Sequence, residues 1–380
     1  MKGIDLMAKR ELDSRLKALY DAGKKVYSIS KINTIDECLY EAYNAYVLHD
    51  RGTNGVYGIL GTKIHDKLEE IMNGKATPAE LPNTLDEELS DLDMLGIEFP
   101  KDFKGNDTIR NNWVADMKHF CNTFEPPEGK FDTEELFIYE LDEERYVQGY
   151  IDLIKHNEDD TISIFDWKTS SQFNKDDLLH HGRQLVLYAI AKEAQGIKVR
   201  DVSWIMLKYC QVSFFGKKRS NSKKLEDITK IVNRGKLVSE LKNNIEYDLS
   251  VAGYDEIDIE CMINKALEDN SLDSLPKDIR EKYKIEPYVR KYIITEELKQ
   301  ECIDYIIKTA DTFEKLDSSS DKNFPPRNFT RINGNNNEVE DTFFCHTLCN
   351  YRNSCKHIKS FDELQKIKRE TEHSEEDDLF

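Results

Sequence analysis

The chain has 380 residues, with 54 Lys and Arg against 73 Asp and Glu, a formal net charge of −19, and 39% hydrophobic against 33% charged residues. That length and composition exclude a disordered or fibrous chain and fit a soluble globular protein with one large core or two smaller ones. No leader is evident and no apolar run would span a bilayer, so no membrane contact is expected; the expected setting is a reducing cytoplasm, where the eight cysteines stay unpaired.

Residues 1–26 are charged and helical in pattern. Residues 27–75 hold two helices. The first is expected to carry Cys38 among several aromatics. The second, Gly61 to Ile71, has an apolar stripe of Ile64, Leu68 and Ile71 with His65 beside it. Residues 76–108, rich in acid and proline, read as a surface excursion, and 110–124 as a helix. Tyr146–Lys155 and Thr161–Thr169 flank a polar turn and form a β-hairpin signal within three strands over 134–168. Period two puts Asp166 and Lys168 on one face, and strand pairing brings Asp152 beside Asp166. A helix over 178–193 places Gln184 and Tyr188 four residues apart on one face.

Beyond it, 199–214 alternates as a strand. Residues 223–242 and 257–269 read as helices within an insertion of about 217–285. Residues 288–294 read as a strand, 295–316 as a long helix, 317–340 as a loop. Cys345, Cys349 and Cys355 then fall within eleven residues, a spacing that points to metal or cluster ligation. Cys38 is the best candidate for a fourth ligand. Cys121, Cys210, Cys261 and Cys302 lie in apolar patterns and read as core cysteines. Residues 359–380 form a charged tail ending in Leu379 and Phe380, read as disordered in isolation.

An isolated pair of aspartates with a lysine is compatible with a surface hairpin holding a salt bridge. The ordered series here is more specific: Cys38, His65, Gly149-Tyr150-Ile151-Asp152, Asp166-Trp167-Lys168, Gln184 and Tyr188, then the cysteine trio. This series resembles the PD-(D/E)XK nucleases, in the RecB-like branch. The iron–sulfur members, AddB-type nuclease domains and CRISPR-adaptation exonucleases, are the most similar. The resemblance spans roughly 27–358 and implies an α/β, restriction-endonuclease-like core. That core is a central mixed sheet flanked by helices, with helical insertions and the cysteine cluster packed on the N-terminal helices. The trio's C-x3-C-x5-C spacing departs from the commoner C-x2-C-x5-C.

The residues imply phosphodiester hydrolysis. Asp152, Asp166 and His65 would hold a divalent cation, Mg²⁺ or Mn²⁺. The resemblance adds the Trp167 carbonyl as a further ligand. Lys168 would act on water or on the phosphate, and Gln184 and Tyr188 would hold the lysine region and contact DNA. Four cysteines suit a structural [4Fe–4S] cluster, which the resemblance favours, or Zn²⁺.

The expected substrate is DNA, at ends or in single strands, in replication, repair or recombination, with a phage source an open option. A catalytically idle DNA-binding module and a CRISPR-adaptation nuclease are the alternatives. No phosphate-loop motif is present, so the chain is no self-contained helicase. The net charge opposes DNA binding by the surface as a whole, so local basic clusters at 216–224 and 351–359 would have to track phosphates. The acidic tail with Leu379 and Phe380 resembles peptides that dock on sliding clamps or single-strand binding proteins.

Overall fold

The computed structural model describes residues 12–175, 177–218 and 223–377. After helix α1 (Ser14–Asp21) and strand β1 (Lys25–Tyr27) come α2 (Ile29–Glu37), α3 (Leu39–Ala42), α4 (Val56–Met72), α5 (Leu81–Leu95) and α6 (Thr108–Thr123). Strands β2 (Lys130–Glu140), β3 (Arg145–His156) and β4 (Thr161–Lys168) follow, then α7 (Leu178–Ala194) and the twenty-residue β5 (Lys198–Lys217). The remainder is β6 (Leu225–Asn233), α8 (Leu237–Val251), α9 (Glu256–Asp269), α10 (Lys277–Arg280), β7 (Lys284–Tyr292), α11 (Glu296–Glu314), a small hairpin β8–β9 (Thr330–Ile332, Glu338–Glu340) and α12 (Lys356–Asp377).

The main sheet is mixed and seven-stranded, in the order β1-β3-β4-β5-β6, with β2 also on β3 and β7 also on β5. β1–β3 and β4–β5 are parallel; the other pairs are antiparallel. Both faces are covered, as a sheet with apolar residues on each side requires. One face buries Ile151, Ile164, Val202 and Trp204 against α2, α7 and α11. The other buries Leu153, Trp167 and Leu207 against α4, α5 and α6. A third cluster joins the far half of β5 to β6, α8 and α9. This is the expected α/β, restriction-endonuclease-like architecture. Among the described residues, no helix is long and apolar enough to cross a membrane.

Several local expectations are corrected. Residues 81–95 form a helix, not an excursion: Leu81, Leu85, Leu89 and Leu92 recur at helical spacing and are buried, while the acids face outward. The segment from 225 is strand before it is helix. Ile228, Ile231 and Val232 have helical spacing, but this run rich in β-branched residues pairs along β5, and the helix starts only at Leu237. Cys38 lies not within a helix but in extended backbone (φ −158°) between α2 and α3. Cys121, Cys210 and Cys302 are core residues as expected, whereas Cys261 is exposed on α9. The charged tail is helical as far as Asp377; Leu379 and Phe380 lie outside the described residues, as does part of the basic stretch 216–224.

The turn after β6 is pressed against α6. A Cβ on Gly235 would fall 2.7 Å from the Ala115 Cβ and 2.9 Å from two backbone atoms of α6. Backbone cannot yield as a flexible side chain does. Gly235→Ala is expected to cost about 1–3 kcal/mol, read by chemical denaturation; an unchanged midpoint would show that this contact is looser than described.

Candidate active site

The ladder between β3 and β4 ends at Leu153↔Phe165. One step further, the same register sets Asp152 opposite Asp166, where the strands part. The gap opens between α4 on one side and α7 on the other. Each helix delivers its side chain by its own period: His65 stands beside the buried stripe of Leu60, Ile64 and Leu68 on α4, and Gln184 and Tyr188 share a face of α7.

The contacts form one connected set. Asp152 Oδ2 accepts the Trp167 backbone N–H at 2.9 Å and lies 3.5 Å from His65 Nδ1. Lys168 Nζ is 2.6 Å from Asp166 Oδ2 and donates to Gln184 Oε1 at 3.1 Å. Gln184 Nε2 donates to the Tyr188 hydroxyl at 2.6 Å. The lysine–aspartate contact is coulombic rather than an aligned hydrogen bond, since the buried Asp166 Oδ2 has no hydrogen-bond partner in good geometry. The sequence-expected residues His65, Asp152, Asp166, Trp167, Lys168, Gln184 and Tyr188 are therefore all brought together.

Burial dominates the electrostatics. It raises both Asp152 and Asp166 to about 6, against the opposing pull of Lys168. Burial alone would lower Lys168, but Asp166 and Asp152 outweigh it and hold the ammonium above its usual value. Burial lowers His65 to about 4, so its imidazole is neutral near pH 7 and free to act as a metal ligand. Burial also holds the Tyr188 phenol well above its ordinary range.

Sequence reading missed Glu134. The flanking pairs Thr133↔Leu153 and Glu135↔Ile151 place it opposite Asp152, yet its φ of +49° is left-handed, a costly conformation for a glutamate inside a strand. Its charge contributes to raising both Asp152 and Tyr188. The available signal was an acid-rich run, Asp132 to Glu135, at the start of a strand.

The donor chemistry fits a divalent cation: two buried carboxylates, one with an oxygen that lacks an aligned hydrogen bond, beside a neutral imidazole. The side chains are not gathered into a closed cage, however. Among the described residues, no group of three or more His, Cys, Asp and Glu is disposed to hold a metal ion. That holds equally for the thiols. Cys38, Cys345, Cys349 and Cys355 nonetheless share one neighbourhood, close enough to bear on one another's charge.

Burial raises Cys38 and Cys349, and Cys345 to about 11. Backbone N–H groups of Glu41 and Tyr351 donate to the sulfurs of Cys38 (3.4 Å) and Cys349 (3.3 Å). The surrounding segments are stitched together: Thr53 N–H donates to Asn350 O at 2.8 Å, Arg352 Nη1 donates to Thr53 O at 2.8 Å, and the Tyr351 hydroxyl donates to Asp50 O. The cysteine segment thus packs on the N-terminal helices, as expected. Arg352 and Lys356 of the basic stretch 351–359 are engaged internally, the latter with Asp321.

A carboxyl raised in the folded state favours the protonated form. Its contribution to stability is present below the unfolded value of ~3.9 and is lost as pH rises through about 6. At pH 8, in chelator, Asp166→Asn is therefore expected to raise Tm by a few degrees, whereas Lys168→Met, leaving two buried charges unbalanced, lowers it. A lower Tm for Asp166→Asn would contradict this electrostatic picture.

Comparison with curated proteins finds no match. The family model of the PD-(D/E)XK nuclease superfamily, however, matches residues 26–356, a span that includes every residue of the site and all four clustered cysteines. The chain belongs to the PD-(D/E)XK nuclease superfamily.

Proposed function

We propose that the chain is a divalent-metal-dependent deoxyribonuclease that cuts DNA at ends or in single strands, in replication, repair or recombination. The observation that carries this reading is the convergence of Asp152, Asp166 and Lys168 in a partly closed gap between strands, with His65 above and Gln184–Tyr188 behind. Nucleases of the superfamily generally use divalent metals. Asp152, Asp166, His65 and the Trp167 carbonyl are the groups that would hold the cation. When bound, such an ion neutralises phosphate charge and lowers the pKa of attacking water.

The chain's own groups do the rest. Lys168 stays protonated between its carboxylates and presents an ammonium to the phosphate oxygens, where negative charge develops in the transition state. Gln184 fixes the lysine by accepting a hydrogen bond from its ammonium at Oε1, and Tyr188 fixes the amide by accepting from Nε2. Burial holds the Tyr188 phenol well above its ordinary range, so it stays neutral as the acceptor of the amide N–H. Neutral His65 steadies Asp152.

The four cysteines are proposed as ligands of a structural [4Fe–4S] cluster or Zn²⁺ that clamps the N-terminal helices to the C-terminal segment. Their shared neighbourhood and the N–H donors on two of the sulfurs support this. The reading as an idle DNA-binding module is disfavoured by the intact carboxylates and lysine.

Two experiments test these readings. On end-labelled single- and double-stranded DNA with Mg²⁺ or Mn²⁺, Asp152→Ala, Asp166→Ala and Lys168→Ala should each reduce hydrolysis by about 10²-fold or more, with the fold retained; wild-type turnover by Asp166→Ala would refute the assignment. For the thiols, anaerobically purified Cys38→Ser and Cys349→Ser should lose bound iron or zinc equally and melt lower. Metal retained by Cys38→Ser would remove it from the ligand set.

A further inference from the structure

A cleft of about 580 Å³ opens next to the catalytic strand. Its near wall is Thr169-Ser170-Ser171, the residues directly after Lys168. The position is fixed from two sides. Trp113 Nε1 donates to Thr169 O at 3.2 Å, and Gly61 of α4, one helical turn before His65, packs against the Thr169 hydroxyl, which would lie 3.5 Å from an added Cβ. The lining of the cleft therefore begins one residue beyond Lys168, at the end of the strand that carries the site.

Its charge is opposite to that of the protein. In a chain of net charge −19, Lys208 and Lys236 both line this cleft, and among the described residues neither has a carboxylate at ion-pair distance. Lys208 is only 8% exposed, and its ammonium donates to the neutral Ser171 hydroxyl at 3.3 Å. A buried ammonium without an anion in contact is costly, and burial pulls Lys208 below the usual lysine value against the opposing pull of Asp116. The acid on the same wall, Asp116, acts on both lysines through its charge but from beyond ion-pair distance; its oxygens are turned to Gly235 N–H, which donates at 2.8 Å, and to Asn233, which donates at 3.1 Å. What the lysines lack is an anion in direct contact, which a phosphate entering from solvent would supply.

The mouth of the cleft is aromatic. Phe343 lines it and is 57% exposed, on the segment just before Cys345. Two cations, adjacent hydroxyls and an open aromatic face are the parts of a nucleotide site: phosphate below, base above. A duplex stacks its base faces internally and has no use for Phe343. The volume is in the range that holds one small ligand, not a double helix.

We propose that this cleft holds the nucleotide adjoining the scissile bond of single-stranded DNA, its phosphate on Lys208, Lys236 and the Ser170–Ser171 hydroxyls and its base against Phe343. The assignment rests on the nuclease reading and specifies its substrate as an unpaired strand.

The test is equilibrium binding of a fluorescent single-stranded oligonucleotide to the full chain in chelator, read by anisotropy across a salt series. Lys236→Ala and Phe343→Ala alter exposed side chains and leave the core intact. Lys236→Ala should weaken binding and reduce the slope of log K against log salt by about 0.7. Phe343→Ala should weaken binding about tenfold while leaving the slope unchanged. A blunt duplex should compete poorly.

Wild-type affinity in both variants, or equal competition by the duplex, overturns the cleft assignment. Absence of oligonucleotide binding by the unaltered protein overturns it as well. Asp166→Ala separates the two readings, since it should bind the oligonucleotide normally without cutting it. If Asp166→Ala cuts DNA like wild type, the catalytic assignment fails. If Asp166→Ala is inactive but the cleft variants bind normally, the cleft assignment alone fails.

Discussion

Two carboxylates and one ammonium buried at the point where β3 and β4 part are the constraint around which the site is organised. Burying them is unfavourable: both aspartates are raised to about 6, and one carboxylate oxygen is left without an aligned donor. A fold retains such a cluster only if the surrounding elements over-determine it. Here the Trp167 backbone fixes Asp152, the glutamine of α7 fixes Lys168, and α4 places an imidazole that burial keeps neutral. Apolar packing on both sheet faces supplies the stability that this cluster subtracts.

A second constraint acts at the ends of the described chain. Segment 38–54 and segment 345–355 meet through backbone hydrogen bonds and an aromatic hydroxyl, with Gly52 in left-handed backbone (φ +62°) so close to Asn350 O that a Cβ would lie 2.7 Å from it. The cysteines sit within this junction. The same segment carries Phe343 to the mouth of the basic cleft, so whatever secures the thiols also positions one wall of that cleft.

Much of this was legible in the sequence. Period-two alternation located β3, β4 and β5, and register alone set Asp152 opposite Asp166. Helical period placed His65 beside an apolar stripe and Gln184 with Tyr188. What escaped was decided by tertiary context. Leu81 to Leu92 had a helical repeat hidden under an acidic, proline-containing composition. Leu225 to Asn233 had helical spacing, but pairing along an unusually long β5 made it strand. Glu134 drew no notice because nothing local announces a left-handed residue in a strand. Lys208 and Lys236 lie 28 positions apart and form no basic run, whereas the runs that sequence does display are partly committed to internal contacts.

The most direct test of the account is a calorimetric titration of Mn²⁺ into the chelator-treated protein at pH 6, in buffers of different ionisation enthalpy. Carboxyls raised to about 6 are half-protonated there, so cation binding should release on the order of one proton. Both the binding and the release should disappear in Asp166→Asn. Cation binding that is indifferent to Asp166, or absent from the unaltered protein, would contradict the central claim that this buried cluster is the metal-dependent centre.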